Sequence, residues 1–130
     1  MTSINRQKQK TYYFGIIAEN IAKGFLRLKG YSILATRYRN HAGEIDIIAK
    51  RRKTVAFIEV KARKNKAQLA EAITRKQQHR ISRAASLYMA QLPASYQARF
   101  DVIFITLRSW PQHIPHAWEA PYQAAQFALI

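Results

Sequence analysis

The sequence predicts an α/β protein, a sandwich of helices around one sheet, in the order helix, three strands, helix, strand. Three observations carry this. Apolar residues recur at helical spacing from Phe14 to Leu28, and three short β-leaning runs follow with turn signals between them. A second helical stretch then ends at Pro93 and leads into a strongly apolar run over Phe100–Leu107.

In the first helix the stripe is Phe14, Ile17, Ala18, Ile21, Phe25 and Leu28, and Gly30 supplies the stop. Gly24 inside the stripe weakens the pattern by about 1 kcal/mol without overturning it. The helix is placed at Phe14–Lys29. Residues 1–13, polar and basic through Arg6, Lys8 and Lys10, are expected as a flexible arm ahead of one domain over 14–130. The first strand is Tyr31–Arg37. A turn at Asn40–Gly43 precedes the second, Glu44–Lys50, and a basic turn at Lys50–Lys53 precedes the third, Thr54–Arg63. The second helix runs from about Gln68 to Leu92 on a stripe of Ile73, Ile81, Ala84, Ala85, Tyr88, Met89 and Leu92. Phe100–Leu107 is apolar enough to be buried on both faces. Pro111, Pro115 and Pro121 then mark an irregular tail, closing with a short helix near Tyr122–Ala128.

Charge narrows the function. Twenty-two Lys and Arg face seven Asp and Glu, a formal +15 on 130 residues. That excess exceeds what solubility needs, and nucleic acid is the partner it favours. With no Cys there are no disulfides, thiolate zinc sites or cysteine nucleophiles. The longest apolar stretches are too short to span a bilayer, and no apolar core of signal-peptide length follows residue 13, so a cytoplasmic protein without a membrane partner is expected. His113 and His116 have a zinc-like spacing but lack a third ligand, and zinc is not expected there.

In so basic a chain the acids are the informative residues. Side chains alternate along a strand, so Glu44 and Asp46 share one face, with Ile45 and Ile47 on the other. In the next strand Glu59, Lys61 and Arg63 share a face opposite Ile58, Val60 and Ala62. Asp46 and Glu59 sit in runs apolar enough to be core, where a carboxylate is costly unless paired or bound to metal. Two readings stand. Asp46–Lys61 and Glu59–Arg63 are cross-strand salt bridges worth about 0.2–1 kcal/mol each. Alternatively, Asp46 and Glu59 hold Mg²⁺ or Mn²⁺, for which carboxylate oxygens, waters and phosphate oxygens suffice. Lys61 would then position a water or neutralise charge on a phosphate.

Lys76, Arg80 and Arg83 recur as a basic ridge suited to phosphates, which Arg37, Arg39 and Lys50–Lys53 extend, with Tyr38 available to stack on a base. Gln77, on the buried stripe, is expected to hydrogen-bond Glu59 or Lys61. Glu44 supports the site or the turn, and Asp101 pairs with Arg99 as an anchor of structure.

The blocks Gly43-Glu44-Ile45-Asp46-Ile47-Ile48-Ala49, Phe57-Ile58-Glu59-Val60-Lys61-Ala62-Arg63 and Arg99-Phe100-Asp101-Val102 resemble the signature of the YraN-type family. That family is placed in the PD-(D/E)xK, restriction-endonuclease-like superfamily, near the archaeal Holliday junction resolvases. The resemblance covers roughly Phe14 to Glu119. It implies a restriction-endonuclease-like α-β-β-β-α-β core, a mixed sheet flanked by helices. It also implies metal-dependent hydrolysis of phosphodiesters, with DNA ahead of RNA and branched DNA as a candidate substrate. Position by position, Asp46 matches the metal-binding Asp, Glu59 and Lys61 the E-x-K half of the motif, and Glu19 the acid of the first helix. The carbonyl of Val60 matches a backbone ligand, and the resolvases' symmetry implies a homodimer. Three departures stand out: no Pro precedes Asp46, Ile81 stands where the exonuclease-like branch has Tyr after Gln77, and no Gly lies in 64–68. The alternative is a nucleic-acid-binding module on the same fold whose activity is lost or depends on a partner. A third possibility is a basic scaffold for protein partners in a DNA-processing assembly.

Overall fold

The computed structural model describes residues 3–63, 73–106 and 108–120. Helix α1 (Ser3–Leu28) leads into β1 (Ser32–Asn40), β2 (Gly43–Arg51) and β3 (Thr54–Arg63). Helix α2 (Arg75–Met89), β4 (Gln97–Thr106) and β5 (Gln112–Trp118) complete the chain order. The strands form one mixed sheet in the order β1-β2-β3-β4-β5, with only β3 and β4 parallel. This is the expected α-β-β-β-α-β order with one strand added. Two tight hairpins account for the antiparallel meander, whereas the parallel β3–β4 pair requires the crossover that α2 provides.

The two helices cover opposite faces. On one face Ala18, Ala22 and Leu26 of α1 pack on Ile47, Ala49, Ala56, Ile58, Ile103 and Ile105. On the other, Ile81, Ala84 and Ala85 of α2 pack on Ile45, Ile48, Val55, Phe57 and Phe100. Phe57, Phe100 and Trp118 extend this second core as a run of rings, Phe100 and Trp118 stacking at 5.3 Å. The central strands are therefore apolar on both sides, as their near-continuous apolar runs require.

Several elements differ from expectation. Helix α1 begins at Ser3, so residues 3–13, expected as a flexible arm, continue the helix. Arg, Gln and Lys are good helix formers, and the segment holds no Gly or Pro to break it. The buried side of α1 is Ala18, Ala22 and Leu26, while Ile17, Ile21 and Leu28 of the expected stripe are exposed. Small residues at the contact let the helix lie close to the sheet, an effect that apolar periodicity alone does not weigh.

Helix α2 starts at Arg75, capped by Thr74, whose side chain accepts from the backbone of Gln77. The Gln77 side chain in turn accepts from the Thr74 N–H, forming a capping box. The expected start at Gln68 and the short helix at Tyr122–Ala128 lie outside the described residues. The tail read as irregular contains β5 instead. Its Pro115 is tolerated because β5 is an edge strand, where a missing N–H need not break a ladder. No helix among the described residues is long and apolar enough to cross a membrane.

Candidate functional site

The site grows out of the point where β2 and β3 part. Their ladder runs from the Arg51↔Thr54 hairpin to Ile47↔Ile58 and stops there. Continued by one step, it would set Asp46 against Glu59. Instead the Asp46 carboxylate takes the Val60 N–H at 2.8 Å, standing in for a ladder carbonyl. Strict alternation also fails here. Ile47 faces α1, but Ile45 packs in the core under α2, on the same side as Ile48. The β1–β2 pairing passes from Thr36↔Ile47 to Tyr38↔Ile45 without a partner for Asp46, where Arg37 of β1 takes a φ of +53°, and the alternation breaks there. The expectation that Ile45 and Ile47 share a face is therefore corrected.

Glu59 follows Phe57 on the α2 face, whereas Ile58, Val60 and Ala62 pack toward α1. Asp46 and Glu59 line one concave pocket of about 310 Å³ together with Glu44, Gln77, Arg80 and Ile81. The two carboxylates are hydrogen-bonded to each other. Burial pushes both pKa values up. Glu59 rises to about 8, through loss of solvent first and the Asp46 charge second, with Lys61 opposing. Asp46 is raised by burial, against the Val60 and Glu59 hydrogen bonds, with Glu19 and Glu44 adding repulsion. The pair thus shares a proton at neutral pH, which Glu59 donates to Asp46.

Lys61 stands 3.7 Å from Glu59, with little solvent access, beside the pocket rather than in its wall. Neither expected salt bridge, Asp46–Lys61 or Glu59–Arg63, is among the ion pairs of the described residues; Lys61 pairs with Glu59. Glu19, on α1, is held by Arg37 of β1 at 2.9 Å and does not line the pocket, although its charge acts on Asp46. Arg39 is likewise engaged, by Glu44 at 2.9 Å. Of the basic ridge on α2, Arg80 reaches the pocket, while Lys76 and Arg83 are exposed on the same helix. Gln77 lines the pocket, but its side-chain oxygen is committed to the α2 cap rather than to Glu59 or Lys61. Tyr38 packs edge-on against Tyr88 at 5.3 Å, part of the core rather than a free stacking platform.

Gly43 was read only as part of a turn, yet it governs how close α2 comes. A Cβ there would lie 3.2 Å from the Arg80 carbonyl oxygen. A Gly facing a helix backbone leaves no signal in sequence beyond its turn context. A second polar cluster is built around Asp101, fully buried on β4. It accepts from Arg99 at 2.7 and 2.8 Å, meets His113 of β5 at 2.8 Å and accepts from the His116 N–H at 3.3 Å. Asp101 is the anchor expected, and His113 is hydrogen-bonded to it.

What the acid pocket can hold follows from its donors. Among the described residues no group of three His, Cys, Asp or Glu could bind a metal. A cation held here would have two carboxylates, with backbone carbonyl, water or substrate oxygens completing its shell. Mg²⁺ and Mn²⁺ accept such sites, and two adjacent half-buried carboxylates suit a divalent ion.

The family model for UPF0102, described as an uncharacterised protein family, matches residues 18–105. A UPF0102 protein of Rhodopseudomonas palustris (strain BisB5) is 44% identical over 116 residues, covering 88% of each chain. One of Bradyrhizobium diazoefficiens is 48% identical over 108 residues, covering 82% of this chain and 81% of its own. One of Methylorubrum extorquens (strain PA1) is 42% identical over 115 residues, covering 87% and 90%. Matched over most of its length by the model and by these relatives, the chain belongs to the UPF0102 family, the YraN-type family that its sequence blocks resemble.

Proposed function

We propose that this protein is a Mg²⁺- or Mn²⁺-dependent nuclease of restriction-endonuclease-like design that acts in the cytoplasm on DNA, branched DNA included. The observation that carries the reading is the Asp46–Glu59 pair: two half-buried carboxylates sharing a proton in an open pocket, on a chain of net charge +15. A purely structural role gives no reason to hold two acids together where burial raises both pKa values and the Asp46 charge raises that of Glu59 further.

Asp46 and Glu59 hold the metal, with the Val60 carbonyl as the third protein oxygen. When bound, the ion supplies a Lewis acid for a phosphate oxygen and lowers the pKa of a water. The Val60 N–H fixes the orientation of Asp46. Lys61, poised at Glu59, places a positive charge where negative charge builds on the phosphate. Arg80 at the pocket wall, continued by Lys76 and Arg83, receives the flanking phosphates, and Arg37 and Arg39 contribute positive potential from β1. Glu19 acts through its charge on Asp46 and through Arg37. Cutting both strands of a duplex favours a homodimer.

The test is cleavage of linear, flapped and four-way DNA and of RNA with Mg²⁺ and with Mn²⁺. Asp46→Asn and Lys61→Met should each lower the rate by about 10²-fold or more. Variants that cleave like wild type would remove the site. The second reading, a binding module on the same fold, is favoured by one feature: Lys61 stands outside the pocket wall. Metal-independent binding with no cleavage of any substrate would select it.

A further inference from the structure

The β2–β3 hairpin carries four consecutive cations, Lys50, Arg51, Arg52 and Lys53, at the end of the sheet opposite the acid pocket. Arg51 is spent inside the protein, over the Tyr31 ring at 4.6 Å and on the Lys29 carbonyl at 3.2 Å. Among the described residues Lys50 and Lys53 are engaged by Tyr96 alone, whose hydroxyl they also hydrogen-bond, and Arg52 is exposed. Lys50 and Lys53 converge on a single ring, their ammonium groups 5.1 and 4.6 Å from the centroid of Tyr96. None of the ion pairs among the described residues involves Lys50, Arg52 or Lys53.

A solvated basic turn is the plain alternative, but it does not account for two ammonium groups drawn to one ring. Two ammonium groups gathered on one tyrosine repel each other, and a cation–π contact worth about 0.5–1 kcal/mol at an exposed ring does not neutralise them. Arg52, exposed at the hairpin tip, has φ +56°, as the primed turns of two-residue hairpins require. The hairpin is also anchored rather than loose, since the Lys53 carbonyl accepts from Gln97 N–H at 2.8 Å and Tyr96 packs on the core under α2.

The cluster lies on the same side of the sheet as the acid pocket. Tyr96 shares the α2-side core, and α2 bridges the two places: Gln77 and Arg80 near its start line the pocket, while Met89 at its end joins the cluster that includes Tyr96. Lys53 and Glu59 are separated along β3 by about 20 Å, the reach of roughly six base pairs.

We propose that Lys50, Arg52 and Lys53, gathered around Tyr96, form a second phosphate-binding point that grips the same nucleic-acid duplex about 20 Å from the acid pocket. This rests on the nucleic-acid reading above and adds to it a footprint: a duplex must run from the pocket along α2 to the hairpin.

The experiment is fluorescence anisotropy with a duplex of about 24 base pairs across a salt series. It compares wild type with Lys50→Ala/Lys53→Ala, Lys50→Arg/Lys53→Arg and Lys76→Ala/Arg80→Ala/Arg83→Ala, with melting as the control for folding. The Ala pair should make the slope of log affinity against log salt shallower by about 1.8, two lost contacts at about 0.9 each, and the Arg pair should keep it. An unchanged slope for the Ala pair, while the α2 triple flattens it, overturns the second point and leaves the nucleic-acid reading standing. Loss of slope in the Arg pair assigns the effect to packing on Tyr96 and also overturns the proposal. A wild type that does not bind duplex at low salt overturns both readings.

Discussion

Replacing Glu59 with Gln separates the electrostatic cost of the acid pair from its shape. Gln keeps the length of the side chain, and its amide N–H can donate to Asp46 as the protonated Glu59 does. Glu59 ordinarily titrates at 4.5 and stands at about 8 in the folded protein, chiefly through burial and then through Asp46. Between pH 4.5 and about 8 the folded protein therefore binds a proton that the unfolded chain has lost. Stability falls as pH rises across that window and is fully diminished above it. A displacement of that size corresponds to on the order of 4 kcal/mol against the ionised form. Glu59→Gln does not titrate, so its advantage over wild type should grow from nothing near pH 4.5 to its full value above pH 8. Allowing for the lost Lys61 contact at 3.7 Å, a gain on the order of 10 °C in Tm near pH 8 is expected for a domain of this size. Urea melts and thermal melts at steps from pH 4.5 to 9, without divalent ions, measure it. A Glu59→Gln protein less stable than wild type at pH 8, or a wild type whose stability does not fall over this range, would refute the shared-proton account. Adding Mg²⁺ or Mn²⁺ near pH 8 should raise the Tm of wild type and leave Glu59→Gln nearly unmoved.

Three further substitutions probe how the site is held. Asp46→Ala strands the Val60 N–H that Asp46 now accepts, at about 1–3 kcal/mol, partly offset by relief of repulsion on Glu59. Asp46→Asn keeps an acceptor and should be the more stable of the two by urea denaturation; the reverse ranking would argue that the Val60 contact contributes nothing. Gly43→Ala places a Cβ 3.2 Å from the Arg80 carbonyl and should cost about 1–3 kcal/mol, with α2 displaced from the pocket and duplex affinity reduced. A Gly43→Ala protein with unchanged melting and binding would contradict that close approach. Asp101→Ala leaves Arg99 and His113 without their buried partner and should cost about 3–5 kcal/mol. Arg99 and His113 hold the Asp101 pKa below its ordinary 3.8 in spite of burial. Its contribution is therefore present above pH 3.8 and lost as pH falls through the lower folded value, so an acid melt of wild type should steepen there.

Much of the fold was legible from pattern. The three strands of the meander, the second helix and the strand after it are set by apolar periodicity and turn residues, which act within a few positions of each other. The placement of Glu59 and Lys61 on one face, opposite Ile58, Val60 and Ala62, follows from strand alternation alone. Elements whose state depends on a neighbour were not legible. β5 reads as a Pro-rich tail because its residues form a strand only where β4 offers an edge. The buried side of α1 reads only in part: Ala18 lies on the expected stripe, whereas Ala22 and Leu26, which complete the face against the sheet, do not.

At the site, the residue types narrowed the chemistry to two readings. Two carboxylates and a Lys in apolar strands, in a chain with a large positive charge, restrict the choices to a salt-bridge network or an oxygen-ligand metal site. The tertiary structure decided how these groups meet. The end of the β2–β3 ladder turns Asp46 from a cross-strand neighbour into an acceptor for Val60 N–H. The close contact at Gly43 brings Arg80 to the pocket, while Arg37, at φ +53° opposite Asp46, pairs with Glu19. Sequence carries the donors and charges because they are properties of single residues. Distances, shared protons and burial depend on where strands separate and how near a helix lies, and only the packed molecule determines those.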